Sequence, residues 1–391
     1  MAGRGRRRLF AVVTLLVAVA LVELFAFFAA LFLEEKAVFY GARPSASYLG
    51  YLEARDPVLG WPPRSDQKAT DERVATGRDA SGSRWTPAFP DPEADPARIS
   101  LYGDSFTWSD EVSSEQAWGN VLSELLGERV ANFGVGGYGS DQAFLRFLGN
   151  EDDGATVVFL NHFSENILRN VNRFRPLLSP YAEALGWKPR FILTPEKEIE
   201  LLPLPTFSEA EYEVVVADPA AHLEHEYFVP GGPSGVQEFG FPLSLRVLAA
   251  LRHFQFQARF RSVPYYADFY DSAHPSQSVA VTAGILERFE REARKRGKIP
   301  VPSIIPSDRS LLYFQETGQW TYQPLLDALE ESQVEVLNFG PGILERVGPE
   351  GVDSIFVAEG AHLNERGYRI LAEVARDHLE EKGLVLPPPP E

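Results

Sequence analysis

Three short segments, far apart in the chain, hold residue types that together could supply a nucleophile, a base and donors for a developing negative charge. The first is Gly103-Asp104-Ser105-Phe106-Thr107, directly after a short apolar run. A serine there sits at the carboxyl end of a strand, where open α/β sheets place their sites. Backbone amides of the turn and of the coming helix aim partial positive charge at the same point. Serine and aspartate are also turn formers, so this segment alone reads equally as a strand-to-helix turn. The second segment, Asn132-Phe-Gly134-Val-Gly136-Gly137-Tyr-Gly139, is rich in glycine. Glycine permits close backbone approach and positive φ, which lets an amide face a ligand or simply makes a turn. The third is Glu359-Gly360-Ala361-His362-Leu363-Asn364. Histidine titrates near ~6.5 and suits a general base. A carboxylate three residues earlier can reach the other imidazole nitrogen and hold the tautomer. The plainer alternative is a histidine at the cap of the closing helix.

The elements that must position these segments follow from hydrophobic period. Residues 97–102 read as a buried strand, 130–135 as a second and 156–160 as a third. Between them, Ser113 and Gln116 are spaced as a capping box that opens a helix, with Trp118, Val121, Leu122, Leu125 and Leu126 on its apolar face. Residues 141–149 begin another helix. Further on, 278–298 read as a strong helix, 300–306 and 334–339 as the fourth and fifth strands, and 364–382 as a closing amphipathic helix. In the 278–298 helix, Val279, Val281, Ile285 and Phe289 share a face, and the arginines near its end suit the helix dipole. Strands alternating with helices imply parallel pairing and right-handed crossovers. Residues 170–277 break this rhythm and read as an insertion or lid. Within it, Ala221-His222-Leu-Glu-His225-Glu reads as a solvated acidic helix rather than a metal site.

Taken together and in this order, the three segments resemble the SGNH/GDSL hydrolase family, over about residues 97–170 and 300–382, and more distantly alginate O-acetylation-type proteins. The resemblance implies a three-layer α/β/α fold with a flavodoxin-like parallel sheet. It implies Ser105 as nucleophile, His362 as base and Glu359 as the orienting acid. It also implies the amides of Ser105 and Gly137 as oxyanion donors. Two departures stand out. The family usually has aspartate where this chain has Glu359, and Asp353 is the possible substitute. The family's third block is weak here: in Asn161-His-Phe-Ser-Glu-Asn166, Asn166 is the candidate side-chain donor and Asn161 the runner-up. The chemistry so implied needs no metal and no organic cofactor.

The amino terminus bears on location. Arg4, Arg6, Arg7 and Arg8 precede an apolar run at 9–33, broken only by Thr14 and Glu23. Such a helix is long enough to cross a hydrocarbon core of roughly 30 Å. The basic cluster should stay cytoplasmic, leaving the rest outside as a single-pass, extracytoplasmic domain. A cleaved signal peptide is the rival reading, with a normally shorter run. Glu23 reads as functional or as a passenger within the span. The expected layout is therefore a stub and anchor at 1–33, a connecting region at 34–97, a hydrolase domain at 98–382 with its insertion near 170–277, and a proline-rich tail at 383–391.

Composition narrows the partners. The 391 residues carry 55 Asp plus Glu against 37 Lys plus Arg, a net charge of -18, which repels nucleic acid. No cysteine is present, which excludes thiolate catalysis and disulfides. The expected function is a membrane-anchored esterase acting on acyl esters, acetyl among them, of a glycan or lipid. Two alternatives stay open: an O-acyltransferase acting on an envelope polysaccharide, and a non-catalytic glycan-binding protein. The segment from Arg169 to Arg175 reads as a group that pairs with acids or binds a sugar.

Overall fold

The run Val157-Val-Phe-Leu-Asn-His-Phe163 is buried at all seven positions. A strand reaches that state only inside a sheet covered on both faces. The computed structural model describes residues 2–34, 38–40, 47–62, 77–178, 186–217, 223–261, 263–358 and 360–385. In chain order the strands are β1 (Phe39–Tyr40), β2 (Ile99–Tyr102), β3 (Val130–Asn132), β4 (Val157–Phe163), β5 (Arg190–Leu193), β6 (Ile199–Leu202), β7 (Gln237–Glu238), β8 (Ile299–Ile305) and β9 (Leu337–Asn338). The helices are α1 (Ala2–Glu34), α2 (Tyr48–Ala54), α3 (Ser105–Trp108), α4 (Trp118–Leu126), α5 (Ser140–Gly149), α6 (Asn166–Arg169), α7 (Glu209–Ala217), α8 (Leu243–Ala250), α9 (Phe254–Gln257), α10 (Ser278–Lys295), α11 (Asp308–Thr317), α12 (Gln323–Glu331), α13 (Phe339–Val347) and α14 (Glu365–Glu381). They fall into two compact units.

The larger unit comprises 51–173, 187–206 and 266–391. Its sheet has five strands in the order β3-β2-β4-β8-β9, every pair parallel. Ile99 faces Val130 on one side and Val157 on the other. Numbered along the chain this is the doubly wound order 2-1-3-4-5, in which strand placement reverses between β2 and β4. Helices α4, α13 and α14 pack together on one face, and α5 and α10 on the other, giving three layers. A β5–β6 hairpin packs against α10 and α5.

Several boundaries move from the sequence expectation because polar groups find partners elsewhere in the chain. Strand β4 runs on through Asn161 and His162 because both polar side chains find buried partners: Asn161 bonds Thr107 and Ser303, and His162 bonds Ser140 and Tyr270. The helix expected to open at Ser113 begins instead at Trp118. Only half of the capping box forms, the Ser113 N–H donating to Gln116 Oε1 at 3.3 Å. The Trp118 N–H is capped by Ser109 Oγ at 3.2 Å, a tertiary partner the local pattern does not contain. The closing helix forms as expected, and the Asn364 side chain caps it by accepting from Gly367 N.

The smaller unit comprises 1–50, 174–186 and 207–265. Helix α1 contains one stretch, Gly5–Glu34, long and apolar enough to cross a membrane by length and composition. Strands β1 and β7 pair in parallel, and α8 packs along α1. Ala30, Leu33, Val38, Phe39 and Ala250 form its buried cluster. Among the described residues the acidic helix expected around His225 does not form: His225 sits at φ 60 in a turn, and His222 lies outside them. The left-handed backbone at 225 breaks any helical run there.

Candidate active site

Strand β2 hands directly over to α3 at Asp104, whose Oδ1 accepts the Phe106 N–H at 3.0 Å as an N-cap. Its other oxygen accepts from Arg169 Nη1 at 2.9 Å, and the same nitrogen reaches the Tyr138 carbonyl. Both partners are buried, so Arg169 locks the turn that presents Ser105. Arg173 donates to the Pro203 carbonyl, and Asn170 to Thr282. The polar segment following Asn166 therefore braces the scaffold in this unit.

The glycine-rich segment is tied to the same turn. The Thr107 carbonyl accepts from Asn132 Nδ2 at 2.6 Å, and Asn132 Oδ1 accepts from Gly134 N. A side chain at Gly134 would press on the Trp108 amide and stand 2.9 Å from the Asp104 carbonyl, so only glycine fits. Gly137 has φ 80, a conformation glycine adopts without strain.

The carboxyl-terminal segment meets the end of β2. His362 Nε2 lies 2.8 Å from Ser105 Oγ. Ser105 is 6% exposed and the His362 side chain 26% exposed, so the pair is sheltered yet reachable. The imidazole also lies against Phe106, ring centroids 5.1 Å apart, and Phe106 stacks on Phe163 at 3.8 Å. The loop carrying His362 is held by a bridge between Phe356 and Leu363 and by the Gly360 N–H donating to Asp308 Oδ2 at 2.7 Å.

Glu359, the expected orienting acid, lies outside the described residues. Asp353 is exposed in a single helical turn and makes no contact with His362 among the described residues. The carboxylate found beside Nδ1 is one the sequence reading missed: Glu111 Oε1 stands 3.6 Å from it, on a side chain 55% exposed. The neighbouring Asp110 is held above the usual carboxylate range by burial, with His362 and Arg84 pulling the other way. Both acids follow Ser109 on a loop with positive φ at Ser109 and Glu111. Fully buried Arg84 staples that loop, donating to the carbonyls of Trp108, Ser109 and Val112. Non-glycine residues at positive φ carry backbone strain, and such strain gathers where structure is over-determined. Nothing in the local sequence announces it.

The expected oxyanion donors fare differently. Among the described residues the amides of Ser105 and Gly137 donate to no acceptor. Asn161, the runner-up, has both amide atoms engaged, donating to Thr107 Oγ1 at 3.1 Å and accepting from Ser303 Oγ at 2.5 Å. Asn166 is fully buried at the start of α6, and neither of its amide atoms has a partner among the described residues. Such a group is unusual in a folded interior. Ser105 and Asn166 follow β2 and β4, the two strands between which the winding reverses. No group of three His, Asp or Glu side chains stands ready to hold a metal among the described residues.

No protein-family model matches the sequence, and no curated protein matches it. Several solved structures are similar to it. One is a member of the lipolytic protein G-D-S-L family from Veillonella parvula, at 14% identity and TM-score 0.32, covering 71% of this chain and 96% of that one. A GDSL-like lipase from Bacteroides thetaiotaomicron matches at 11% identity and TM-score 0.32, covering 73% and 88%. An acetyl xylan esterase from Butyrivibrio proteoclasticus matches at 10% identity and TM-score 0.30, covering 74% and 64%.

Proposed function

We propose that this chain is a serine ester hydrolase of the SGNH/GDSL type, held to a membrane by α1. The observation that carries the reading is the 2.8 Å contact between His362 Nε2 and Ser105 Oγ at the switch point of a parallel sheet. It is supported by the order of the three sequence segments and by two unengaged amides beside the nucleophile turn.

In this reading Nε2 removes the Ser105 proton as Oγ attacks the ester carbonyl. The carbonyl oxygen becomes an oxyanion that accepts from the Ser105 and Gly137 amides and from Asn166 Nδ2. Collapse expels the alcohol, which takes the proton from His362, and leaves an acyl-serine. Water then gives a proton to His362 and adds to the acyl carbonyl; collapse releases the acid as His362 returns that proton to Ser105 Oγ. Glu359, three residues before His362, orients Nδ1–H. Glu111 lies 3.6 Å away, beyond a hydrogen bond, and half exposed, so it contributes a screened field. The substrate class is an acyl ester of a glycan or lipid outside the cytoplasm, which follows from the orientation given by the amino-terminal arginines.

The test uses the full chain in detergent with short-chain acyl esters, with and without oligosaccharide. Hydrolysis that falls by about 10⁴-fold or more in Ser105→Ala is expected. Unchanged turnover in that variant would sink the reading. Acylated oligosaccharide in place of free acid would convert the assignment to an acyltransferase using the same pair.

A further inference from the structure

The insertion contains a second apolar segment, 239–251, in which only Gly240, Pro242, Ser244 and Arg246 interrupt large or small hydrophobic residues. It is too short to span a bilayer, and that length fits a re-entrant or interfacial segment. Its path within the smaller unit is defined at both ends. Gln237 pairs with Phe39, five residues beyond the end of α1, so β7 lies at the head of the span. Six residues after Gln237, at Leu243, the chain reaches Glu23. The Leu243 N–H donates to Glu23 Oε2 at 2.6 Å and the Ser244 hydroxyl to Oε1 at 2.5 Å. Helix α8 then returns beside α1 until Ala250 joins Ala30 and Leu33. Glu23 to Leu33 is ten residues, about 15 Å of helix, and α8 is eight residues, about 12 Å, so the dip and the return match.

We infer that residues 239–251 form a re-entrant hairpin that dips alongside α1 into the leaflet where α1 ends, with α8 facing the hydrocarbon. This rests on α1 being a membrane span. Three observations carry it. The seam of α1 beneath α8 is Glu23, Ala26, Ala30 and Leu33 at helical spacing, with the last three buried and small residues permitting close approach. The outer side of the hairpin is apolar and bare: Phe241 is 83% exposed, Leu245 61% and Leu248 56%. That surface continues the exposed apolar surface of α1 at the same depth, where Phe25 and Phe28 also face outward. A helix start and a carboxylate at that depth would each be unsatisfied in hydrocarbon; here each satisfies the other. Arg246, the charge on α8, lies 4.0 Å from where a side chain at Gly231 would begin, on the loop leading to β7. A long stem ending towards the headgroups is the usual way such a residue is accommodated.

The chain has no cysteine, so single spin labels can be placed on the full-length protein in phosphatidylcholine vesicles. Labels at Leu245→Cys and Leu248→Cys are compared with Leu16→Cys in α1 and Val58→Cys in the other unit, by collision with oxygen and with a water-soluble nickel complex. Expected is a several-fold higher oxygen-to-nickel ratio at 245 and 248 than at 58. In Glu23→Leu that ratio should fall towards the value at 58, whereas Glu23→Gln, which keeps an acceptor, should retain most of it. Water-like labels at 245 and 248 with a lipid-like label at 16 would overturn the hairpin and leave the anchor standing. A water-like label at 16 would overturn the span and the hairpin with it. Labels at 245 and 248 shielded from both reagents would mean a protein covers that face, also against the inference.

Discussion

His362 Nε2 approaches Ser105 Oγ to 2.8 Å across 257 residues of sequence. In the proposed mechanism that geometry requires Nε2 to be the acceptor, so the remaining ring proton sits on Nδ1 and needs a carboxylate. Two acids compete for that role, and they are separable. Glu359→Gln is expected to lower kcat by about 10³–10⁴-fold, since a mis-set tautomer disables the base. Glu111→Gln, removing a half-exposed charge at 3.6 Å, should stay within about tenfold. Steady-state kinetics with a short ester decide it, and the reverse ranking would transfer the orienting role to Glu111.

Asn166 tests the oxyanion assignment. Its amide has no partner among the described residues, so Asn166→Ala removes no hydrogen bond from the resting protein. Loss of about 10²–10³-fold in kcat with an unchanged thermal midpoint is expected. A fall in stability with little change in kcat would mark Asn166 as structural.

The Lys188–Asp141 pair tests the scaffold. Both side chains are fully buried, and Lys188 Nζ also donates to the carbonyls of Arg169, Asn172 and Pro189. Burial pushes the Asp141 carboxyl up, and the ammonium pulls it back. Lys188→Met leaves that carboxylate uncompensated, and denaturant titration should show about 3–5 kcal/mol of lost stability. The double variant with Asp141→Leu should regain most of it. A loss under about 1 kcal/mol in the single variant would refute the account.

His162 tests the pH dependence of folding. Its Nδ1 meets Ser140 Oγ at 2.8 Å and its Nε2 meets Tyr270 Oη at 2.9 Å. Tyr270 donates onward to the Ser164 carbonyl, so its oxygen accepts from Nε2–H and the neutral ring fits the network. Burial lowers the folded pKa to about 3, against an unfolded value near ~6.5. Between these the unfolded chain binds the extra proton. This contribution is therefore whole above pH ~6.5 and is lost as pH falls towards 3, at up to about 1.4 kcal/mol per unit. Stability measured from pH 7 to 4 should fall less steeply in His162→Gln; parallel curves would disprove the linkage.

Much of the fold was legible because its signals are local. Short apolar runs bounded by turn signals marked β2, β3, β4 and β8. Helical spacing marked α10 and α14. What local pattern missed depended on partners elsewhere in the chain. Ser109 Oγ, not the capping box at Ser113, starts α4. Asn161 and His162 extend β4 because Thr107, Ser303, Ser140 and Tyr270 satisfy them. Glu111 comes beside His362 because Arg84 staples a strained loop.

By itself the sequence determined the residue chemistry: which side chains can attack, accept a proton or cross a bilayer, and in what order strands and helices alternate. Tertiary structure decided which of them meet. Contact between Ser105 and His362, the engagement of Asn161 against the unpartnered state of Asn166, and the bond from α8 to Glu23 all arise from packing over long loops. Side-chain type and period are properties of neighbours along the chain. Hydrogen-bond satisfaction in a buried interior is a property of neighbours in space.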